Sequence, residues 1–106
     1  MLRTKIINEL LKMGYIISNS GSLYLVDIIE ILHQRNSLSP VFQSFNLDKD
    51  IYIILANKYN TNWHTIKSNI TKATNTMNSF QSLQQDSSNP IKWTPKNVIT
   101  YILEKL

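Results

Sequence analysis

Apolar residues return every three or four positions along most of this 106-residue chain, and only two glycines and three prolines interrupt them. That period puts side chains on one side of an α-helix, whereas a half-buried strand would alternate every second residue. The pattern predicts an all-α fold of five or six helices. A first helix runs roughly from Arg3 to Met13, with Ile6, Ile7, Leu10 and Leu11 on one side. Gly14 suits the left-handed position just past its end, and Tyr15 can fold back on Leu10. After the irregular stretch YIISNSGS, broken by Gly21, a second helix is expected from about Leu23 to Arg35. Leu25, Ile28, Ile29 and Leu32 form its buried stripe, and Asp27 and Glu30 face water.

Ser39 and Pro40 have the order of a helix cap and first helical residue, ahead of a short segment that buries Val41, Phe42 and Phe45. Asp48 is expected to cap a helix that reaches about Lys58. The run IYIILA inside it fits a buried strand as well as a buried helix, and its length and flanks favour the helix. A long helix follows from about Asn62 to Met77, and FQSLQQDSSNPIK resembles a polar loop around Pro90. Thr94 and Pro95 start the last helix, with Trp93 and Val98 placed as a hydrophobic staple and Val98, Ile99, Ile102 and Leu106 docked on the core.

Hydrophobic residues make up 42% of the chain and charged residues 17%, a balance that supports a folded core. The length predicts one domain. The absence of cysteine excludes disulfide scaffolds, thiolate zinc sites and thiol catalysis. No apolar run has the length of a membrane span, and no cleavable leader is legible, so the chain is expected in the cytoplasm. The formal net charge is +4. Between Ile51 and Gln85 there is no Asp or Glu, while Lys58, Lys67 and Lys72 fall inside that stretch. A basic region on one element is the electrostatic footprint of nucleic-acid binding, although on charge alone an ordinary solvated face is the favoured reading.

The segment LANKYNTNWHTIKSNI follows the spacing of a helix-turn-helix. Two helices crossing over a turn of three or four residues need a small residue where they touch, and Ala56 supplies it. Tyr59 fills the apolar place at the end of the first helix, and Asn60 tolerates the left-handed backbone of the turn. Trp63, Ile66, Ile70, Ala73 and Met77 then face inward, so Thr61, His64, Thr65, Ser68, Thr71, Lys72 and Asn75 face outward. A plain helical hairpin meets the same spacing, and a solvated helix side would also be polar. The lack of any acid on that side favours a surface for phosphates and base edges. Lys58, Lys67, Lys72 and Lys92 are the candidate phosphate contacts.

Over nearly its whole length the chain resembles the C-terminal effector domain of the master transcription factor of bacterial sporulation initiation (stage zero sporulation protein A). The resemblance lies in the glycine of KMG, in GSLYL, in IYIILANKYNT, in the spacing of NWHTIKSNITKA and in the closing KWTPKNVITYILEKL. It implies a six-helix fold, a helix-turn-helix at about residues 48–77, and sequence-specific promoter binding as a homodimer or as tandem dimers on repeated sites. Carried over by position, the family's DNA contacts fall on His64, Thr65, Ser68, Thr71, Lys72 and Asn75. Its recognition-helix arginines are held here by Thr65, Ser68 and Thr71. The connector before the last helix is shorter than in the family, and no receiver domain is expected within these residues.

Enzymatic chemistry is not expected. His33 and His64 have no metal-ligand spacing with a second histidine or a carboxylate. Asp48 is better placed as a helix cap than as half of an acid/base pair with Asp50, and two glycines cannot build a phosphate-cradling loop. Trp63 and Trp93 are assigned to the core rather than to base stacking. No cofactor, metal, membrane or small-molecule substrate is expected. The expected function is that of a DNA-binding transcription regulator linked to sporulation or a related developmental programme, with duplex DNA as partner. The alternative is a protein-interaction module that modulates a full-length paralogue through its apolar C-terminal helix.

Overall fold

A computed structural model describes residues 2–36, 51–84 and 92–106. The described residues form five helices and no strand: α1 Leu2–Met13, α2 Ser20–Asn36, α3 Tyr52–Lys58, α4 Trp63–Gln84 and α5 Pro95–Lys105. The all-helical expectation therefore holds, and the IYIILA run resolves as helix. The cap at Ser39 and Pro40, the burial of Val41, Phe42 and Phe45, the cap at Asp48 and the loop around Pro90 lie outside the described residues.

One apolar cluster collects Ile6 and Leu10 from α1, Leu25, Ile28 and Ile29 from α2, Leu55 from α3, Ile66, Ile70 and Met77 from α4, and Ile99 and Ile102 from α5. Most residues of the stripes read from the sequence meet there, because burying apolar area against a second helix is the main source of helix stability in water. On α1, however, Ile7 is only partly buried and Leu11 is 52% exposed, outside the face that α2 and α5 cover. Trp63, Trp93 and Leu106 pack against this cluster while remaining partly exposed. From α5, Val98, Ile99, Ile102 and Leu103 are buried in the core, and Tyr101 packs against it while partly exposed.

Two ends follow their sequence signals closely. Gly14 has φ +109°, the Gly14 N–H bonds the Leu11 carbonyl and the Tyr15 N–H bonds the Leu10 carbonyl, each at 3.1 Å. This is the paired-bond cap that only a residue at ease with positive φ forms without strain. At α5, Thr94 is extended and its hydroxyl accepts from the Asn97 N–H at 3.3 Å, with Pro95 next in the chain.

Three expectations need correction. First, α2 begins at Ser20, three residues before Leu23, and Gly21 lies inside its first turn rather than breaking a loop. A Cβ on Gly21 would meet the Asn69 carbonyl and the Ala73 Cβ of α4, so this glycine lets α2 and α4 approach closely. Second, Asp27 does not face water: it is 2% exposed and bonded to α1 and the end of α3. Third, α4 continues to Gln84, seven residues past Met77. Its added turns hold the neighbouring chain. The Asn78 amide donates to the Trp93 carbonyl and accepts from the Trp93 N–H, both at 2.9 Å. Gln81 donates to the Met13 carbonyl at 2.9 Å and accepts from the Trp93 indole at 3.1 Å.

Ser22, next to Gly21, is fully buried and its hydroxyl has no partner among the described residues. Burying a hydroxyl without a hydrogen bond is unfavourable. Ser22→Ala is therefore expected to stabilise the fold by about 1 kcal/mol. Urea denaturation should show a higher midpoint with an unchanged slope. A lower midpoint would mean that the hydroxyl does have a partner.

Candidate nucleic-acid interface

The unit formed by α3, its turn and α4 starts from backbone chemistry. Tyr59 ends α3 with its N–H on the Leu55 carbonyl at 2.9 Å. Asn60 then takes φ +54°, the left-handed geometry expected of it, and the Thr61 N–H reaches back to the Ala56 carbonyl at 2.9 Å. Asn62 caps α4: its side-chain oxygen accepts from the Thr65 N–H at 3.0 Å and from the Thr65 hydroxyl at 3.3 Å. The turn between the helices is thus closed by its own polar residues, with Ala56 and Ile66 buried on either side of it.

Asp27 fixes this turn from outside. Its carboxylate accepts from the Tyr59 hydroxyl, lies 2.8 Å from the Arg3 guanidinium and 3.4 Å from the Lys58 ammonium. Burial opposes the charge on Asp27, but the Tyr59 and Arg3 hydrogen bonds and the Lys58 charge outweigh it and hold the carboxyl below its ordinary value. The same contact with Asp27, with a smaller push from burial, raises the Tyr59 phenol to about 12. Arg3 also pairs with Glu30 at 3.0 Å. The sequence offered no direct sign of this cluster, since its contacts join residues 24 to 32 apart along the chain.

Of the candidate contact residues, Thr61, His64, Lys67, Ser68, Thr71, Lys72 and Asn75 are exposed, and Thr65 is half-buried at the cap. Lys58, at the end of α3, is exposed but engaged by Asp27. Lys92 is exposed ahead of α5. At about 100° per residue, His64, Ser68, Thr71 and Asn75 fall within an arc of about 60°, and Lys67 and Lys72 lie about 70° to either side of its middle. The exposed surface of α4 therefore has a neutral polar centre line with a lysine on each shoulder.

Both shoulders lean outward. The Lys67 ammonium sits 5.8 Å from the Trp63 ring centroid, on the side away from the centre line. Lys72 borders a polar groove of about 390 Å³ lined by Ser18, Asn19, Ser20, Asn69 and Thr76. The His64 ring stacks on Trp63 with centroids 3.8 Å apart, which holds it at the start of the line.

Polar residues elsewhere on α4 are used within the chain. The Asn69 amide donates to the Thr65 carbonyl at 2.9 Å, the Thr76 hydroxyl to the Lys72 carbonyl at 3.0 Å, and Thr74 pairs with the buried Tyr15 hydroxyl at 2.9 Å. The side chains of Ser68, Thr71 and Asn75 make no such bond among the described residues.

No group of three or more His, Asp or Glu residues that could hold a metal ion occurs among the described residues, and none of their helices is long and apolar enough to cross a membrane. No family model matches the chain, and no curated protein or solved structure is significantly similar to it.

Proposed function

We propose that the chain is a DNA-binding transcription regulator in which α3 and α4 form a helix-turn-helix and α4 enters the major groove. The observation that carries this reading is the outer surface of α4: free of acid, neutral along its centre and basic on both shoulders. A helix in a groove about 12 Å wide has base edges in front and a phosphate backbone on each side. Lys67 and Lys72 are placed for the two backbones, and Thr61 and the first N–H groups of α4 add donors at its positive end. Lys92 is a further candidate phosphate contact. The resemblance to the sporulation effector domain points the same way and adds promoter binding as dimers, within sporulation or a related developmental programme.

Phosphate contacts act on any sequence and release counterions. Lys72→Ala is expected to weaken binding to every duplex and to reduce the slope of log affinity against log salt by about one. Fluorescence anisotropy with a labelled random-sequence duplex of about 20 base pairs, in 50 to 200 mM salt, measures both. An affinity that ignores salt and the Lys72→Ala substitution alike refutes the reading.

A further inference from the structure

We infer that α4 selects A·T over G·C base pairs, with Asn75 as the residue that reads adenine. This rests on the reading of α4 as a groove-bound helix and goes on to name the sequence class it accepts.

The argument begins with which groups are at liberty. Four asparagines lie between residues 62 and 78. Asn62 caps the helix, Asn69 bonds the Thr65 carbonyl and Asn78 is paired with the Trp93 backbone. Asn75 alone has a side-chain amide without a hydrogen bond among the described residues, and it is exposed on the centre line. Its carbonyl oxygen and NH₂ form one acceptor and one donor side by side. In the major groove adenine shows the complement, an N6 donor beside an N7 acceptor.

Thr71, one turn earlier, is also exposed and unbonded, and carries a methyl group. Thymine is the base with a methyl group in the major groove, and threonine methyl contact is one of the ways it is read. Guanine calls for the opposite equipment, two donors aimed together at O6 and N7. The chain has two arginines, Arg3 and Arg35. Arg3 is held by Asp27 and Glu30, and Arg35 belongs to α2. The α4 lysines are on the shoulders, with Lys67 turned toward Trp63 and Lys72 toward the groove beside α2. The centre line thus carries a matched pair for adenine and a methyl for thymine, and no two-donor fork for guanine.

The test is selection of bound duplexes from a random pool of double-stranded DNA at low salt, with the wild-type chain and with Asn75→Ala. Circular dichroism should report an unchanged helix content, because Asn75 is exposed and its side chain makes no hydrogen bond among the described residues. The wild-type consensus is expected to be defined at A·T pairs. Exchanging one such pair for G·C should lower affinity by roughly fivefold to 150-fold in anisotropy titrations. Asn75→Ala should erase the preference at one adenine. A consensus centred on guanine, a pool bound without base preference, or a consensus indifferent to Asn75→Ala overturns the inference. In those cases the salt-dependent, Lys72-dependent binding remains and the proposed function stands. Absence of any salt-sensitive duplex binding instead removes the proposed function, and the inference with it.

Discussion

Gly21→Ala is expected to destabilise the fold by about 3 kcal/mol or more. In an ordinary helix the same change would stabilise by roughly 0.5–1 kcal/mol, since alanine is the better helix former. Here the sign inverts because of what the methyl group would meet. An added Cβ would overlap the Asn69 carbonyl oxygen, lie 2.7 Å from the Asn69 carbonyl carbon and 2.9 Å from the Ala73 Cβ. A flexible side chain could move aside, but Asn69 contributes backbone within the second turn of α4, and shifting it means shifting the helix. For a domain of this size each kcal/mol corresponds to about 4–8 °C in thermal midpoint, so a drop of more than about 10 °C is expected. Thermal and urea unfolding followed by circular dichroism measure it. Adding Ala73→Gly should recover only part of the loss, because the carbonyl remains in the way. A Gly21→Ala midpoint within about 2 °C of wild type would show that α2 and α4 can separate freely.

The same glycine shows where sequence reading reached its limit. Gly14 and Asn60 were legible because each is demanded by its own helix end: a left-handed residue satisfies carbonyls three and four positions back, a local requirement written in local residues. The Thr94–Pro95 start is local in the same sense. Gly21 is required by another helix 48 residues away, and a lone glycine with no visible partner looks like a break in structure. The polar run after Met77 looked like a loop for a related reason. Asn78 and Gln81 reach Trp93, 15 and 12 residues on, and Gln81 also reaches Met13, 68 residues back, so their polarity serves tertiary bonds rather than solvent. The outer surface of α4 was largely legible, because assigning Ile66, Ile70 and Met77 to the core fixes the opposite side by helical geometry alone. What the pattern could not convey is which of those outward groups are already engaged. The Asn62 side-chain oxygen caps the first turn by accepting from the Thr65 N–H and hydroxyl, and Lys58 is drawn to Asp27.

Asp27→Asn is expected to lower stability at pH 7 by about 2 kcal/mol and to flatten the acid limb of the stability profile. The carboxylate is 2% exposed, yet it stays ionised because the Tyr59 hydroxyl, Arg3 and Lys58 surround it. Asparagine keeps the shape but gives up the charge, and its NH₂ group presents a donor to partners that are themselves donors. The loss should fall short of the 3–5 kcal/mol that follows when a buried charge is stranded, because Arg3 and Lys58 are 41% and 56% exposed and can rehydrate. The pH dependence has a definite sign. The folded-state carboxyl is held below its ordinary 3.8, so its stabilisation is complete above that value and is lost as pH falls toward the folded-state value. Below about pH 4 the wild-type chain should lose stability faster than Asp27→Asn, and the two curves should converge. Other carboxyls titrate in that window in both chains, so the difference between the curves isolates Asp27. Tyr59→Phe should reproduce a smaller part of the neutral-pH loss, since Arg3 and Lys58 remain on the carboxylate. If Asp27→Asn unfolds at the wild-type urea midpoint at pH 7 and shows the same acid limb, the cluster does not brace the turn into α4. The orientation of the proposed recognition helix must then come from apolar packing alone.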